Sequence, residues 1–299
     1  MLHTLNIRLF ADQIVYIANH AEDEVIFVDR SLIALLWPLV DQLETVRHFV
    51  VMDDGDGEIP DDPRIIYYEE LIAAAPSVDF EVRDEKQAAS MCYTSGTTGN
   101  PKGVVYSHRS TYMHTITTMT TDGLGVCESD VILHVVPMFH VNSWGLQHAA
   151  VAAGATLVNP GPKLQPEPIA ELMESERVTI AAGVPTIWMG VLEELDGRDV
   201  SSLRAIPCGG SAVPKSLSEG YREKIGLPIL QAWGMTETSP LAAIAHVKSA
   251  DADLDEEAKS DIRSSIGTIV PTVEFRICEP DSIEAVSYTH LTLPTICSV

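Results

Sequence analysis

Apolar and polar positions alternate along the chain in two distinct rhythms. Short continuous apolar runs occupy Val25–Val28, Phe49–Met52, Ile65–Tyr67, Ala88–Tyr93, Val131–Val136, Ala155–Val158, Val178–Ala181, Leu203–Pro207 and Ile229–Ala232. Runs of this length, rich in Val and Ile, predict strands buried on both faces. Between several of them the apolar positions recur every three or four residues, predicting helices over Ser31–Leu43, Ser110–Thr120, Pro166–Ser175, Pro185–Leu195 and Pro214–Lys224. Proline at or near the start of the last two suits a first helical turn. Strand–helix alternation predicts an α/β fold with parallel sheets flanked by helices. Two polar stretches, Asp53–Pro63 and Ser249–Asp261, read as solvated acidic loops, the second open to disorder.

Composition narrows the function. A 299-residue chain with 45% hydrophobic residues can bury a sizeable core. The longest apolar stretch, 141–158, is interrupted by Asn142, Gln147, His148 and Gly154, so none reads as a membrane span. The first ten residues lack the pattern of a secretory signal, which makes the cytoplasm the expected location. Five scattered cysteines without a CxxC pair predict buried reduced thiols rather than disulfides or a zinc ribbon. His134, His140 and His148 match no metal-ligand spacing. A net charge of −24 repels a nucleic-acid backbone, so no nucleic-acid partner is expected. The acids are unevenly placed. None occurs from Lys86 to Thr121, from Val131 to Pro166, or from Lys224 to Thr236. Burial of those elements accounts for part of this pattern, and an acidic chain that clears acids from one loop is suited to hold an anion there.

The first acid-free window holds "YTSGTTGNPKGV", Tyr93 to Val104. It follows a predicted strand. Gly96, Gly99 and Gly103 let the backbone turn its N–H groups toward a ligand. Thr94, Ser95, Thr97 and Thr98 add hydroxyl donors, and Lys102 adds a point charge suited to phosphate. The run reads as a phosphate cradle. It is not a P-loop, because Gly96 and Gly99 are too close and Lys102 is followed by Gly103 rather than a hydroxyl.

This run resembles the phosphate-binding signature of the adenylate-forming (AMP-binding) superfamily of acyl-CoA synthetases, luciferases and peptide-synthetase adenylation domains. Further matches follow in order: "VPMFHVNSWG" (Val136–Gly145), "AGVPT" (Ala182–Thr186), "CGGSAVP" (Cys208–Pro214) and "QAWGMTETSP" (Gln231–Pro240). The likeness runs from about Leu2 to about Glu279 and is greatest to bacterial medium- and long-chain fatty acid–CoA ligases. It implies a large N-terminal domain of the adenylate-forming fold, truncated at both ends, over residues 1–285. In the reaction it implies, a carboxylate attacks the α-phosphate of ATP to give acyl-adenylate and pyrophosphate. Coenzyme A thiol then takes the acyl group and AMP leaves. Two anions meet in the first half, so alignment and charge neutralisation matter more than acid–base chemistry.

The resemblance assigns roles residue by residue. Thr94, Ser95, Gly96, Thr97, Thr98, Gly99 and Lys102 would hold the outer phosphates. Thr236 would bond the α-phosphate, and Glu237, alone an ordinary surface acid, would hold Mg²⁺. Trp233 and Gly234 would meet adenine, with Gly209, Gly210 and Ser211 making room for base and sugar. His140 would orient the substrate carboxylate. Amino-acid-activating relatives carry Asp there, so an apolar acid fits better than an amino acid. Val141, Trp144, Gly145, Gly183, Val184 and Met189 are candidates for the acyl pocket and serve equally well as plain core. The arch and the Thr236–Glu237 pair are expected to converge on one triphosphate. The implied partners are a small carboxylic acid, ATP and CoA, with transient contact with a membrane surface left open. An aryl acid as substrate, and a non-catalytic nucleotide-binding module, stay open as alternatives.

The family's ribose-binding Asp motif, hinge and small mobile domain with its catalytic Lys are not found in these residues. The last run, "AVSYTHLTLPTICSV", carries no family motif and reads as non-native sequence over 286–299. The chain alone is therefore expected to be nearly inactive, since loss of one charge-stabilising group costs about 10²–10³ in rate.

Overall fold

The computed structural model describes residues 1–94 and 100–276. Ser95, Gly96, Thr97, Thr98 and Gly99, and the terminal run 286–299, lie outside the described residues. The chain forms two compact units, Met1–His108 and the part from Arg109 onward.

The first unit carries β1 (Leu2–His3), β2 (Val25–Asp29), β3 (His48–Met52), β4 (Ile65–Tyr67), β5 (Ala88–Tyr93) and β6 (Gly103–Ser107). β2, β3 and β4 form one parallel sheet in that order. β1 pairs parallel to β5, while β6 pairs antiparallel to it. Helix Ala11–His20, which the apolar pattern did not signal, joins β1 to β2. Ile26, Val28, Phe49 and Val51 supply the core with Ile33, Leu36 and Val40. The helix expected over Ser31–Leu43 is broken. Three-residue helical turns at Arg30–Leu32 lead into Ile33–Leu36 and then a 3₁₀ segment, Trp37–Gln42. Pro38 removes the backbone donor that a continuous α-helix needs there.

The second unit adds β7 (Val131–His134), β8 (Thr156–Val158), β9 (Ile180–Ala182), β10 (Pro207–Cys208), β11 (Leu230–Gly234), β12 (Leu241–Ile244) and β13 (Thr268–Ile269). β8, β7 and β9 are parallel neighbours. Two parallel bridges, Ile180↔Ala205 and Gly183↔Cys208, connect β9 to the strand that continues as β10. β10 and β11 are parallel, and β12 and β13 extend the sheet antiparallel. The sheets are thus mixed, with antiparallel strands at β6, β12 and β13 that the sequence pattern did not distinguish.

Alternate residues of this sheet face two separate cores. Leu133, Ala181, Ile206 and Cys208 point to helices Pro166–Ser175, Pro185–Glu194 and Lys215–Ile225. Ile132, Ile180 and Ala182 point to the opposite core, with Leu146, Ala149 and Ala150 of helix Leu146–Ala153. Burial on both faces explains why these strands read as unbroken apolar runs. A buried carboxylate paired with a partly exposed arginine ties neighbouring strand starts together. Asp130 accepts from Arg204 Nη2 at 2.6 Å and from Thr179 Oγ1 at 2.7 Å. Burial alone would raise its carboxyl, but these bonds and the Cys127 N–H hold it well below the usual range.

The second acidic stretch is not a loop throughout. Glu256–Arg263 is a helix whose N-cap, Asp255, accepts from Ala258 N–H at 2.8 Å. Acids fill its first turn and Arg263 its last, as the helix dipole favours. Arg263 then reaches Glu219 at 3.0 Å, and Lys215 reaches Asp261 at 2.7 Å. Cys92 and Cys208 are buried free thiols as expected, while Cys127 is exposed. Among the described residues, no helix is long and apolar enough to cross a membrane.

Candidate functional site

In the first unit, two hydrogen bonds join Thr94 to Lys102. Thr94 N–H donates to Lys102 O at 2.9 Å, and Lys102 N–H donates to Thr94 Oγ1 at 3.1 Å. Lys102 itself is exposed. The entering strand is anchored by Tyr93, whose hydroxyl lies 2.6 Å from His20 Nδ1 and whose ring packs 5.2 Å from that of His3. Burial, with Tyr16 and Asp23 nearby, pushes the Tyr93 phenol up to about 12, so it stays a neutral post. Ser95 through Gly99, expected to hold phosphate, lie outside the described residues.

In the second unit, the remaining candidates follow the carboxyl ends of four parallel strands. His140, Val141 and Trp144 follow β7; Gly183 and Val184 follow β9; Gly209, Gly210 and Ser211 follow β10; Thr236 and Glu237 follow β11, which contains Trp233 and Gly234. Ligands of open parallel sheets bind beyond this edge. Residues from all four strands meet directly. A Cβ on Gly209 would stand 2.6 Å from Ala232 O and 3.6 Å from Trp144 Cη2. One on Gly210, at φ +80°, would stand 3.4 Å from Val184 Cγ1 and 4.0 Å from Trp144 Cζ2. Only glycine leaves the backbone open here, and the walls that face it are an indole and an aliphatic side chain.

Gln231 explains the placement of that loop. Its buried amide accepts from Val213 N–H at 2.9 Å and donates to Ser265 O at 2.6 Å. It thereby ties the residues after β10 to the end of helix Glu256–Arg263. Past β11, Thr236–Thr238 forms a 3₁₀ turn in which Met235 N–H donates to Thr238 Oγ1 at 2.8 Å. Glu237 projects from this turn and is exposed, as are Ser211 and His140. Among the described residues no cluster of three His, Cys, Asp or Glu could cage a metal. A lone carboxylate beside threonine hydroxyls fits Mg²⁺, which keeps waters and phosphate oxygens as its other ligands.

The turn after β7 has unusual geometry. Val141, Asn142, Ser143 and Trp144 have φ of +48°, +50°, +55° and +55°, followed by Gly145 at +67°. One left-handed turn is closed by Trp144 N–H donating to His140 O at 3.2 Å. Each L-residue there costs about 1–2 kcal/mol, so the surroundings must hold the segment. Asn142 and Ser143 are buried, and Gln147 Nε2 donates to Asn142 O.

The structure therefore brings Trp144, Val184, Gly209 and Gly210 together. It leaves Met189 47% exposed on its helix, so Met189 does not serve as core within this unit. Sequence reasoning missed Gln231, Ser143 and His134. The first two sat inside quoted motifs, but nothing in residue type marks which polar side chains turn inward. His134 was considered only as a metal ligand.

Residues 1–288 match the family model described as AMP-binding enzyme. Over 286 residues the chain is 43% identical to a 3-methylmercaptopropionyl-CoA ligase of Ruegeria lacuscaerulensis, covering 93% of this chain and 52% of that one. It is 42% identical over 283 residues to a long-chain-fatty-acid–CoA ligase of Thermus thermophilus, covering 94% and 51%. The fold matches the anthranilate CoA ligase AuaEII, solved in complex with anthranoyl-AMP, with a TM-score of 0.82 at 21% identity, over 95% of this chain and 52% of that one. The chain spans about half the length of the curated relatives it matches. A family match over nearly all 299 residues, on an α/β sheet whose carboxyl edge carries the matching motifs, shows that the chain belongs to the AMP-binding enzyme family.

Proposed function

We propose that this chain is the ATP-handling part of an AMP-forming acid–thiol ligase. That ligase as a whole activates a medium- or long-chain fatty acid as acyl-adenylate and passes the acyl group to coenzyme A in the cytoplasm, while this chain alone is expected to be nearly inactive. Residues 1–285 are then part of one adenylation domain. The observation that carries the reading is the meeting of Trp144 and Val184 with the Gly209–Gly210 backbone beyond the strand ends. An apolar wall beside an open glycine strip suits an acyl group joined to a nucleotide.

The chemistry asks little of proton transfer and much of charge placement. Lys102, with Thr94 and Ser95 through Gly99, takes the β- and γ-phosphates and then pyrophosphate. Thr236 donates to an α-phosphate oxygen. Glu237 would hold Mg²⁺, which would supply further neutralisation of the phosphate charge. Trp233 and Gly234 take adenine, with Gly209 to Ser211 beside the sugar. His140 orients the carboxylate, whose oxygen forms the new bond to phosphorus as the bond to pyrophosphate breaks. Val141, Trp144, Gly183 and Val184 take the acyl part. His140 offers no anion for a substrate ammonium, which favours an apolar acid. The names of the relatives at 43% and 42% identity, a methylmercaptopropionyl and a long-chain-fatty-acid CoA ligase, support an aliphatic acid.

Calorimetry on the chain tests this. ATP·Mg²⁺ should bind wild type and lose about tenfold or more in affinity in Lys102→Ala and in Thr236→Ala, the loss typical of a charged hydrogen bond. A non-hydrolysable decanoyl-adenylate analogue should bind more tightly than its benzoyl counterpart. Equal ATP affinity in wild type and both variants would refute the site, and a benzoyl preference would replace the fatty acid with an aryl acid.

A further inference from the structure

The left-handed turn that carries His140 and Trp144 is tied to the end of β7 by one buried hydroxyl. Ser143 Oγ lies 2.7 Å from Val136 O and 2.8 Å from His134 Nδ1. The other ring nitrogen of His134, Nε2, lies 2.7 Å from Asn159 Oδ1. His134 is the last residue of β7, and Asn159 follows β8 directly. The imidazole thus spans two neighbouring strand ends and grips the turn from behind.

The set Ser143–His134–Asn159 has the composition of a nucleophilic triad, but it cannot act as one. Ser143 is 0% exposed, so its oxygen meets no substrate. Its single proton goes to the Val136 carbonyl, which leaves Ser143 Oγ to accept from His134 Nδ1–H, while Nε2 pairs with the side-chain amide of Asn159. Each of the three side chains then has a defined donor or acceptor role, which fixes the ring plane. A tether of this kind is what a backbone segment in a disfavoured conformation requires. Its product is the orientation of the Trp144 indole over Gly209 and Gly210.

We propose that His134 is a positioning residue: through Ser143 and Asn159 it holds the 141–144 turn in its left-handed form, and so sets Trp144 and His140 for the acyl-adenylate. The acyl-adenylate part rests on the ligase reading above; the hold on the turn does not.

Two measurements on the whole chain test it. The first is amide hydrogen exchange at Trp144, whose N–H closes the turn. His134→Phe keeps a ring and loses both hydrogen bonds. It should speed exchange at Trp144 about tenfold or more, the effect of one lost buried bond, while amides of helix Pro166–Ser175 stay as in wild type. His134→Gln, which can both donate and accept, should restore most of the protection. Asn159→Ala changes an exposed residue and should give a smaller effect in the same direction, which keeps the test valid if His134→Phe folds poorly. The second is affinity for the decanoyl-adenylate analogue set against AMP. His134→Phe should lose about tenfold for the analogue and less than about twofold for AMP. Unchanged protection at Trp144 in His134→Phe and Asn159→Ala overturns the proposal. So does loss spread over all amides and unrescued by Gln, or lost protection with analogue affinity intact. If wild type binds no analogue, the ligase reading fails, and the exchange contrast alone decides the role of His134.

Discussion

The imidazole of His114 fills the space where a side chain on Gly145 would go: a Cβ there would stand 2.8 Å from His114 Nδ1. Gly145 ends the left-handed turn at φ +67°, and His114 sits buried on helix His108–Met119 beneath it. Two constraints, a positive φ and a closed space, therefore act on one glycine.

Gly145→Ala should lose about 2–3 kcal/mol, combining a left-handed alanine with an overpacked contact. Removing the ring relieves only the second. In a double-mutant cycle by urea denaturation, His114→Ala together with Gly145→Ala should cost about 1 kcal/mol less than the sum of the singles. Strict additivity would mean that the ring does not press on the glycine.

The same histidine should make the fold acid-sensitive. Burial, with His148 nearby, lowers His114 from 6.5 to about 4. The folded state therefore holds it neutral while the unfolded chain takes up a proton below about 6.5. Stability is untouched above that pH and falls as pH drops from about 6.5 to about 4. The full difference is worth about 3 kcal/mol. Melting followed across this window should show the slope, and His114→Gln should flatten it. His148, lowered by burial as well, leaves a residual slope. The depressed carboxylates of Asp130 and Glu219 lose their contribution only at lower pH, through their own folded values, with Glu219 at about 2. A slope unchanged in His114→Gln would remove the histidine from the account.

The strands of the second unit were legible because burial on both faces leaves an unbroken apolar run; those of the first unit were legible from their Val and Ile content, although Val25 and Phe27 of β2 are exposed and no residue of β4 is buried. Ile65–Tyr67 and Ala88–Tyr93 are matched residue for residue. Helices with a proline start were equally plain, as Pro166–Ser175 shows. Glu256–Arg263 was not, because it is stabilised by an N-cap and by ion pairs to Glu219 and Lys215 that are distant in sequence. Strand direction was also hidden, since β12 and β13 are apolar whichever way they run. At the candidate site the motifs named Trp144, Val184, Gly209 and Gly210, and the fold brings these together. The residues that hold them, Gln231, Ser143 and His134, depend on which polar atoms face inward. That is a property of tertiary packing, absent from residue order.

Gly209 separates damage to the site from damage to the fold. A Cβ there would stand 2.6 Å from Ala232 O, a backbone atom of β11 that cannot swing aside like a side chain. Gly209→Ala must therefore push apart the ends of β10 and β11, where Trp233 and Gly234 follow at once. AMP affinity should fall about tenfold or more, measured by calorimetry. Gly197→Ala is the control. Its φ of +78° makes alanine strained, yet nothing lies within 4 Å of the added carbon. It should cost about 1 kcal/mol in urea denaturation and leave AMP affinity unchanged. Wild-type affinity in Gly209→Ala would show that nucleotide does not use this strand edge. A parallel loss in Gly197→Ala would show that the measured affinity tracks global stability rather than the glycine strip.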